Sequence, residues 1–286
     1  MPESSLAALV RAAAQRLADA GVPDPLIDTE LLAAHVLQLR RGEVQAAIIR
    51  GDGVSEEAAA ALDDLVSRRA RREPLQHLTG TAPFRHLELA VGPGVFVPRP
   101  ETEIVVQYAI DALLNAADPE PIGIDLGTGS GAIALAMATE VPHARIFAAE
   151  ISADAHAWAQ RNTAGIANLT LVHADLADAF TELEGTAVVV ISNPPYVPDA
   201  AVPRDPEVRL FDPALALYGG ADGLDIVRVL SIRARQLLMP GGLLVIEHGE
   251  LQGEAIRDIL TTDGWRAAAT HRDLTQRDRA TTALRA

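Results

Sequence analysis

The chain has 286 residues, 49% of them apolar, which is enough for one large and one small domain with a sizeable buried core. It contains no cysteine, so disulfides, zinc thiolate sites and cysteine nucleophiles are excluded, and we expect no metal site. The formal net charge of −15 disfavours stable binding of nucleic acid, and the lack of a predicted membrane span or secretion signal favours a cytoplasmic protein.

Residues 1–80 are predicted to form a small helical domain. Apolar residues recur at helical spacing from Leu6 to Leu17, Asp24-Pro25 is a typical helix start, and a further helix is expected from Ser55. The segment carries no ligand motif. Its basic run, Arg68–Arg72, is interpreted as a solvated helix end, with contact to an acidic partner or RNA as the alternative.

Residues 81–99 are predicted to form a β-hairpin that links two domains. Apolar residues lie on both sides of Gly92-Pro93-Gly94, which is expected to be the turn. After Pro100, Glu101 and Glu103 fall in the first turn of a predicted helix, where the helix dipole favours acidic side chains.

Strands and helices alternate from residue 121, which predicts a parallel sheet covered on both faces over residues 100–286. The tail is expected to add an antiparallel pair from 265–269 and 281–284. The predicted strands are 121–126, 145–149, 169–173, 187–191 and 242–247, and the predicted helices are 131–140, 153–164, 223–238 and 251–261.

A glycine-rich loop follows the first of these strands. Ile122–Leu126 leads into Gly127–Gly131 and then into a helix, which is the arrangement that lets a backbone approach a ligand closely. Glu150 ends the next strand and is placed to accept hydrogen bonds from a ribose diol. The spacing is G-x-G-x-G and not G-x-G-x-x-G, which weakens a dinucleotide cofactor without excluding it.

The most apolar strand, 187–191, is followed by Ser192 and then by Asn193-Pro194-Pro195-Tyr196. An amide nitrogen is a poor nucleophile, and an enzyme can help by accepting its two N–H hydrogens at fixed positions. The Asn193 side-chain oxygen and the Pro194 carbonyl are candidate acceptors, the prolines stiffen the loop, and Tyr196 offers a flat face for stacking. The motif therefore predicts methyl transfer to a planar amide or amino nitrogen.

The loop D-L-G-T-G-S-G resembles motif I of class I methyltransferases. This resemblance implies a Rossmann-like, mostly parallel seven-stranded sheet that uses S-adenosyl-L-methionine and releases S-adenosyl-L-homocysteine. It also implies that Asp175 lies near the adenine amino group, although a simple cap is nearly as good an interpretation. Leu176 is aliphatic where some relatives place an aromatic against adenine. The implied cofactor-binding residues are Gly127, Thr128, Gly129, Ser130, Gly131, Glu150, Asp175 and Asn193.

Nearly the whole chain resembles the peptide-chain release factor glutamine methyltransferases, the PrmC (HemK) family. The motifs that carry the resemblance are Phe96–Glu103, Asp125–Ala136, Ser192–Tyr196 and Glu247–Gly249 with Gln252-Gly253.

Membership in that family would imply methylation of N5 of the glutamine in the Gly-Gly-Gln loop of bacterial class I release factors, which modulates translation termination. The implied glutamine-binding residues are Asn193, Pro194, Pro195 and Tyr196, of which Asn193, Pro194 and Tyr196 would carry catalysis. Phe96 and the Pro100-Glu101 turn would border the pocket, and His248 is expected to pack rather than react.

Two other functions stay open at this point. Adenine-N6 methyltransferases of nucleic acid share the Asn-Pro-Pro-Tyr motif, but the acidic charge and the absence of a basic, aromatic-rich recognition domain count against them. A cofactor-binding interaction module without catalysis is the other alternative, and the intact motif disfavours it. The helical domain is expected to recognise the protein substrate, and the chain is expected to be a monomer.

Overall fold

The computed structural model describes residues 4–286, which divide into two units. Residues 4–81 group with Arg204–Phe211, whereas Ala82–Pro203 group with Asp212–Ala286. We call these the helical unit and the sheet unit. Within the described residues no helix has both the length and the apolarity needed to cross a membrane.

The elements are numbered in chain order. The helices are α1 (Leu6–Asp19), α2 (Pro25–Leu37), α3 (Arg41–Arg50), α4 (Glu56–Ala70), α5 (Leu75–Thr79), α6 (Thr102–Leu114), α7 (Ala132–Glu140), α8 (Ala153–Thr163), α9 (Pro206–Phe211), α10 (Ala214–Leu217), α11 (Asp225–Leu237) and α12 (Gly253–Thr262). The strands are β1 (Ser4–Ser5), β2 (Gly53–Val54), β3 (Thr81–Phe84), β4 (Leu87–Ala90), β5 (Ile122–Leu126), β6 (Arg145–Glu150), β7 (Leu169–His173), β8 (Ala187–Ser192), β9 (Leu238–Glu247), β10 (Arg266–Arg272) and β11 (Asp278–Leu284).

The helical unit contains the three helices that the sequence predicts, α1, α2 and α4. Pro25 opens α2, and the Ser55 hydroxyl caps α4 by accepting the Ala58 N–H at 3.2 Å. Their buried apolar faces, including Leu6, Leu17 and Leu32, form one core. The unit was expected to be purely helical, but β1 and β2 form a two-residue antiparallel pair. Helices α3 and α5 were not predicted. Few of their residues are buried, so the sequence shows no repeated apolar pattern there.

The interpretation of Arg68–Arg72 as a solvated helix end is wrong for Arg69 and Arg72. Arg69 is 6% exposed and binds the carboxylates of Asp28 and Glu207, each at 2.7 Å. Arg72 binds both oxygens of Glu207, at 2.8 and 2.6 Å. The two arginines therefore hold α9, which is distant in sequence, within the helical unit.

The predicted hairpin exists, but its turn lies elsewhere. β3 and β4 pair on either side of Arg85-His86, and not around Gly92-Pro93-Gly94. Arg85 adopts a positive φ of 54°, which is uncommon for a residue with a side chain. Its guanidinium binds the Glu140 carboxylate and the Gln107 side chain. The Gly92–Gly94 segment does turn, since the Val95 N–H donates to the Gly92 carbonyl at 3.4 Å, but it joins no pair of strands. It packs on α8, where the Trp158 indole donates to the Pro93 carbonyl.

The sheet unit is built on a seven-stranded sheet with the order β10-β11-β9-β8-β5-β6-β7. Strands β9, β8, β5, β6 and β7 are parallel, and β10 and β11 close one edge as the predicted antiparallel pair. Helices α6, α7 and α8 contribute to the core on one face, and α11 and α12 to the core on the other. The predicted fold class is confirmed. Since ligands of such sheets bind at the carboxyl ends of the strands, the loops after β5, β6, β8 and β9 define the region to examine.

Candidate active site

The glycine loop joins β5 to α7 at this edge of the sheet. Gly127, Gly129 and Gly131 have φ values of 77°, 59° and 85°, a region that residues with side chains rarely adopt. The N–H groups of Gly127 and Thr128 donate to the Ala149 carbonyl at 2.9 and 3.0 Å, which fixes the loop to β6. A side chain at Gly129 would point into open space, so this face of the loop is accessible to a ligand.

Hydrogen bonds to the Asp125 carboxylate hold the glycine loop in place. One carboxylate oxygen accepts the Thr128 hydroxyl at 2.5 Å and the Ala134 N–H at 3.2 Å, so it ties the loop to the start of α7. Complete burial raises the pKa of Asp125 to about 7, although the Thr128 and Ala134 hydrogen bonds act in the opposite direction.

Glu150 ends β6 beside the glycine loop. One oxygen accepts the Gly129 N–H and the other accepts the Ser152 N–H, both at 2.8 Å. The carboxylate is therefore held rigidly, and each oxygen keeps a lone pair for a further donor. A fixed carboxylate next to an accessible glycine loop fits the ribose diol and the amino-acid portion of S-adenosylmethionine.

Asp175 and Leu176 follow β7. Asp175 is exposed, and its side chain accepts the Ala177 N–H at 2.9 Å, so it stabilises the turn of residues 176–180 and does not cap a helix. Leu176 is partly buried against the core that includes α11 and α12. A role for Asp175 toward adenine stays a prediction.

The Asn-Pro-Pro-Tyr loop starts next to the glycine loop. Strands β5 and β8 are neighbours, and the buried Ser192 hydroxyl donates to the Leu126 carbonyl at 2.6 Å. Asn193 thus leaves the sheet beside the first glycine of the loop. Pro194 is buried, and within residues 4–286 its carbonyl accepts no backbone hydrogen bond.

Contacts from more distant residues hold this loop in place. Gln252 donates to the Tyr196 carbonyl and accepts the Gly249 N–H, both at 2.9 Å. A Cβ at Gly223 would lie 2.2 Å from the Tyr196 carbonyl oxygen, and one at Gly219 would lie 2.4 Å from that of Pro195. Any side chain at either glycine would therefore displace the loop.

The role of Gly219 and Gly223 was not predicted. The only local signal is the glycine-rich stretch 219–223, which on its own predicts no more than a turn.

A buried polar group lies behind the loop. Glu247, at the end of β9, is 1% exposed, and burial raises its pKa to about 7. Thr102, Arg279 and Asn193 face the carboxyl and favour its charged form, whereas Glu101 disfavours it. Burial and the nearby Glu247 raise the pKa of Tyr196 to about 12, so the phenol is neutral at physiological pH.

The expected border residues lie in the same unit. The Arg99 guanidinium covers the Phe96 ring at 4.8 Å and binds Asp212 at 2.7 Å. The charge of Glu101 raises the pKa of Tyr196 and that of Arg99 lowers it.

His248 is fully buried. Its ring nitrogens lie 2.9 Å from the Gly249 carbonyl and from the Thr281 hydroxyl, and burial lowers its pKa. Both nitrogens are thus engaged within the fold, as expected for a packing residue.

The chain matches two known domain families. Residues 8–80 match the PrmC N-terminal domain, and residues 92–238 match the methyltransferase small domain. A crystal structure of a methyltransferase from Pyrococcus furiosus has a similar fold, with a TM-score of 0.51 and 19% identity over 77% of this chain and 98% of that one.

Full-length relatives are more similar. The release factor glutamine methyltransferase of Streptomyces coelicolor is 49% identical over 98% of both chains. The enzyme of the same name from Bifidobacterium longum is 42% identical over 95% of this chain and 96% of its own. At these identities over almost the full length, the chain belongs to the release factor glutamine methyltransferase family.

Proposed function

We propose that this protein transfers a methyl group from S-adenosyl-L-methionine to N5 of the glutamine in the Gly-Gly-Gln loop of class I peptide-chain release factors. The observation that carries the proposal is the junction of the two loops. The Ser192 hydrogen bond to Leu126 fixes the Asn-Pro-Pro-Tyr loop beside the glycine loop, so a methyl donor and a planar amide bound there would be adjacent.

The glycine loop and Glu150 form the cofactor side of the proposed site. S-adenosylmethionine supplies an electrophilic methyl group. The glycines leave room for its amino-acid portion, and Glu150 is oriented by Gly129 and Ser152 to accept the ribose hydroxyls. Asn193, as the first residue after β8, completes this side of the site.

Asn193, Pro194 and Tyr196 form the substrate side, which we call the clamp. The Asn193 side-chain oxygen and the Pro194 carbonyl each accept one N–H of the glutamine amide, which aims the nitrogen lone pair at the methyl group. Pro195 stiffens the loop, and the neutral Tyr196 ring covers the planar amide. Holding reactants at a near-attack geometry lowers barriers by up to about 7–11 kcal/mol in favourable cases.

Replacing Glu150 with glutamine should weaken S-adenosylmethionine binding about ten- to a hundredfold. A hydrogen bond to a charged group contributes about 1.5–3 kcal/mol, and the neutral amide loses that advantage. The dissociation constant is measured by titration calorimetry. Glu182→Gln, which removes the same charge from an exposed position, is the matched control. Unchanged affinity in Glu150→Gln would rule out its contact with the ribose.

Methyl transfer from labelled S-adenosylmethionine to a purified release factor tests the whole proposal. We expect label on the factor, and none on a factor whose loop glutamine is replaced with alanine. Label on a DNA or RNA adenine would instead support the nucleic-acid alternative, and no transfer to any acceptor would support the non-catalytic module.

We also propose that the helical unit recognises the release factor, because a large protein substrate needs a docking surface and this unit carries no ligand motif. Amide hydrogen exchange with and without the factor is expected to show protection within residues 4–81. Unchanged exchange there would refute the assignment. The proposed substrate places the enzyme in the cytoplasm, and we infer that it acts as a monomer without stable nucleic-acid binding, consistent with its charge of −15.

A further inference from the structure

Two neighbouring strands place Glu247 next to the clamp. β8 and β9 run parallel, with Ser192 opposite Ile246 in their register. Asn193 and Glu247 are the next residues along the two strands, so they reach the carboxyl edge of the sheet at the same level. Asn193 also lowers the pKa of the Glu247 carboxyl against the effect of burial, as expected for neighbouring side chains.

The Glu247 carboxyl has unused hydrogen-bonding capacity. Its Oε2 atom and the neighbouring Thr102 hydroxyl are buried and make no hydrogen bond within residues 4–286. Native proteins satisfy most buried polar atoms, because an unsatisfied one is costly. A buried carboxylate with an unsatisfied oxygen is therefore expected to have a function that offsets this cost.

The clamp itself has a requirement that a carboxylate can meet. An asparagine side chain presents an acceptor oxygen and a donor NH₂ that are almost the same size, and a rotation of 180° exchanges them. Only one orientation aims the oxygen at the substrate N–H. A carboxylate accepts hydrogen bonds but cannot donate them, so it attracts the NH₂ and turns the oxygen away from itself.

We propose that Glu247 is a positioning residue that fixes the orientation of the Asn193 amide, accepting its NH₂ so that its oxygen faces the substrate nitrogen. The proposal rests on the clamp described above and assigns a residue that acts through Asn193 without touching the substrate. Thr102, at the start of α6, also favours the charged form of the carboxyl.

This role requires the charged form of Glu247. A protonated carboxyl can donate to the Asn193 oxygen and so compete with the substrate for it. Because the pKa of Glu247 is raised to about 7, the charged fraction falls as the pH drops below that value. The other groups that face it are Glu101, Tyr196 and Arg279, and the neutral phenol and the guanidinium do not titrate near pH 7.

The test is the pH dependence of kcat in the wild-type chain and in Glu247→Gln. We expect the wild-type kcat to fall on the acid side of about pH 7. In the glutamine variant kcat should be about ten- to a hundredfold lower, the range seen for partners that orient a ligating side chain. The fall of kcat on the acid side, which we call the acid limb, should be absent from this variant. Its affinity for S-adenosylmethionine and its melting temperature should stay close to the wild-type values. Glu247→Asp, which keeps an acceptor on a shorter arm, should recover part of both kcat and the acid limb.

Glu250→Gln is the matched control, because it removes the same charge from a half-exposed side chain three residues away. It should leave kcat and the pH profile unchanged. A wild-type kcat in Glu247→Gln, or an acid limb that survives in that variant, would overturn the inference. The wild-type profile alone would overturn it if kcat were flat between pH 5 and 8. Failure of the clamp proposal is recognised separately, since Asn193→Ala would then remain active.

Discussion

Asn193→Ala is expected to reduce kcat by about a thousandfold, effectively abolishing methyl transfer to the release factor. The substitution removes one of the two acceptors proposed to hold the glutamine amide. Loss of one preorganised hydrogen-bonding group at a reacting centre typically costs about 10²- to 10³-fold in kcat. Steady-state methyl transfer measures the loss, and titration of S-adenosylmethionine shows whether cofactor binding persists, at least in part.

Asn115→Ala provides the matched control for this experiment. Asn115 is an exposed asparagine just after α6, where its side chain donates to the Asp111 carbonyl. We expect its replacement to leave kcat unchanged. Full activity in Asn193→Ala would refute the clamp, whereas loss of cofactor binding alone would assign Asn193 to the other half of the site.

Arg69→Ala is expected to destabilise the protein by about 3–5 kcal/mol. Asp28 and Glu207 are each 9% exposed, and removing the arginine leaves the first without its buried partner and the second with Arg72 only. Breaking a buried ion pair from one side costs this much because an uncompensated charge remains. Urea unfolding followed by circular dichroism measures the change in the free energy of unfolding.

The control is Arg16→Ala, whose ion pair with Asp63 is exposed and should contribute about 1 kcal/mol or less. Burial alone would raise the pKa of Glu207, but the hydrogen bonds that it accepts from Arg72 and Arg69 lower it to about 2. The folded-state pKa is thus below the unfolded value of 4.5, so this stabilisation is present above pH 4.5 and is lost as the pH falls toward 2. The difference between wild type and Arg69→Ala should therefore shrink in acid. Equal losses for the Arg69 and Arg16 variants would contradict the assignment.

The sequence predicted those parts of the fold whose signals are local. Two strands were predicted from short apolar runs: Ile122–Leu126, which ends at the glycine loop, and Ala187–Ile191, which is followed by Ser192, Asn193 and two prolines. A few adjacent residues thus define each strand, its end and the carboxyl edge of the sheet. The cap at Ser55 was equally local. The geometry of Gly127–Gly131 also follows, since positive φ values need glycine.

The features that sequence reasoning missed depend on distant partners. Gly92-Pro93-Gly94 is a strong local signal for a turn and does form one, yet the hairpin turns at Arg85-His86, where Arg85 binds Glu140, 55 residues away. Arg69 appeared to be one member of a charged run, and its partner Glu207 lies 138 residues further on. The link between Asn193 and Glu247 likewise became visible only once β8 and β9 were known to be neighbours.

The grouping of Arg204–Phe211 with the helical unit bears on how such enzymes can be recombined. The chain passes between the units three times, after Thr81, after Pro203 and after Phe211. A chimera that exchanges only the first 81 residues would set a foreign arginine pair against the resident α9. Its Glu207 would then keep its charge without its native partners, unless the donor supplies arginines at the same two places. Exchange of the amino-terminal part between relatives therefore requires that α9 be transferred with it.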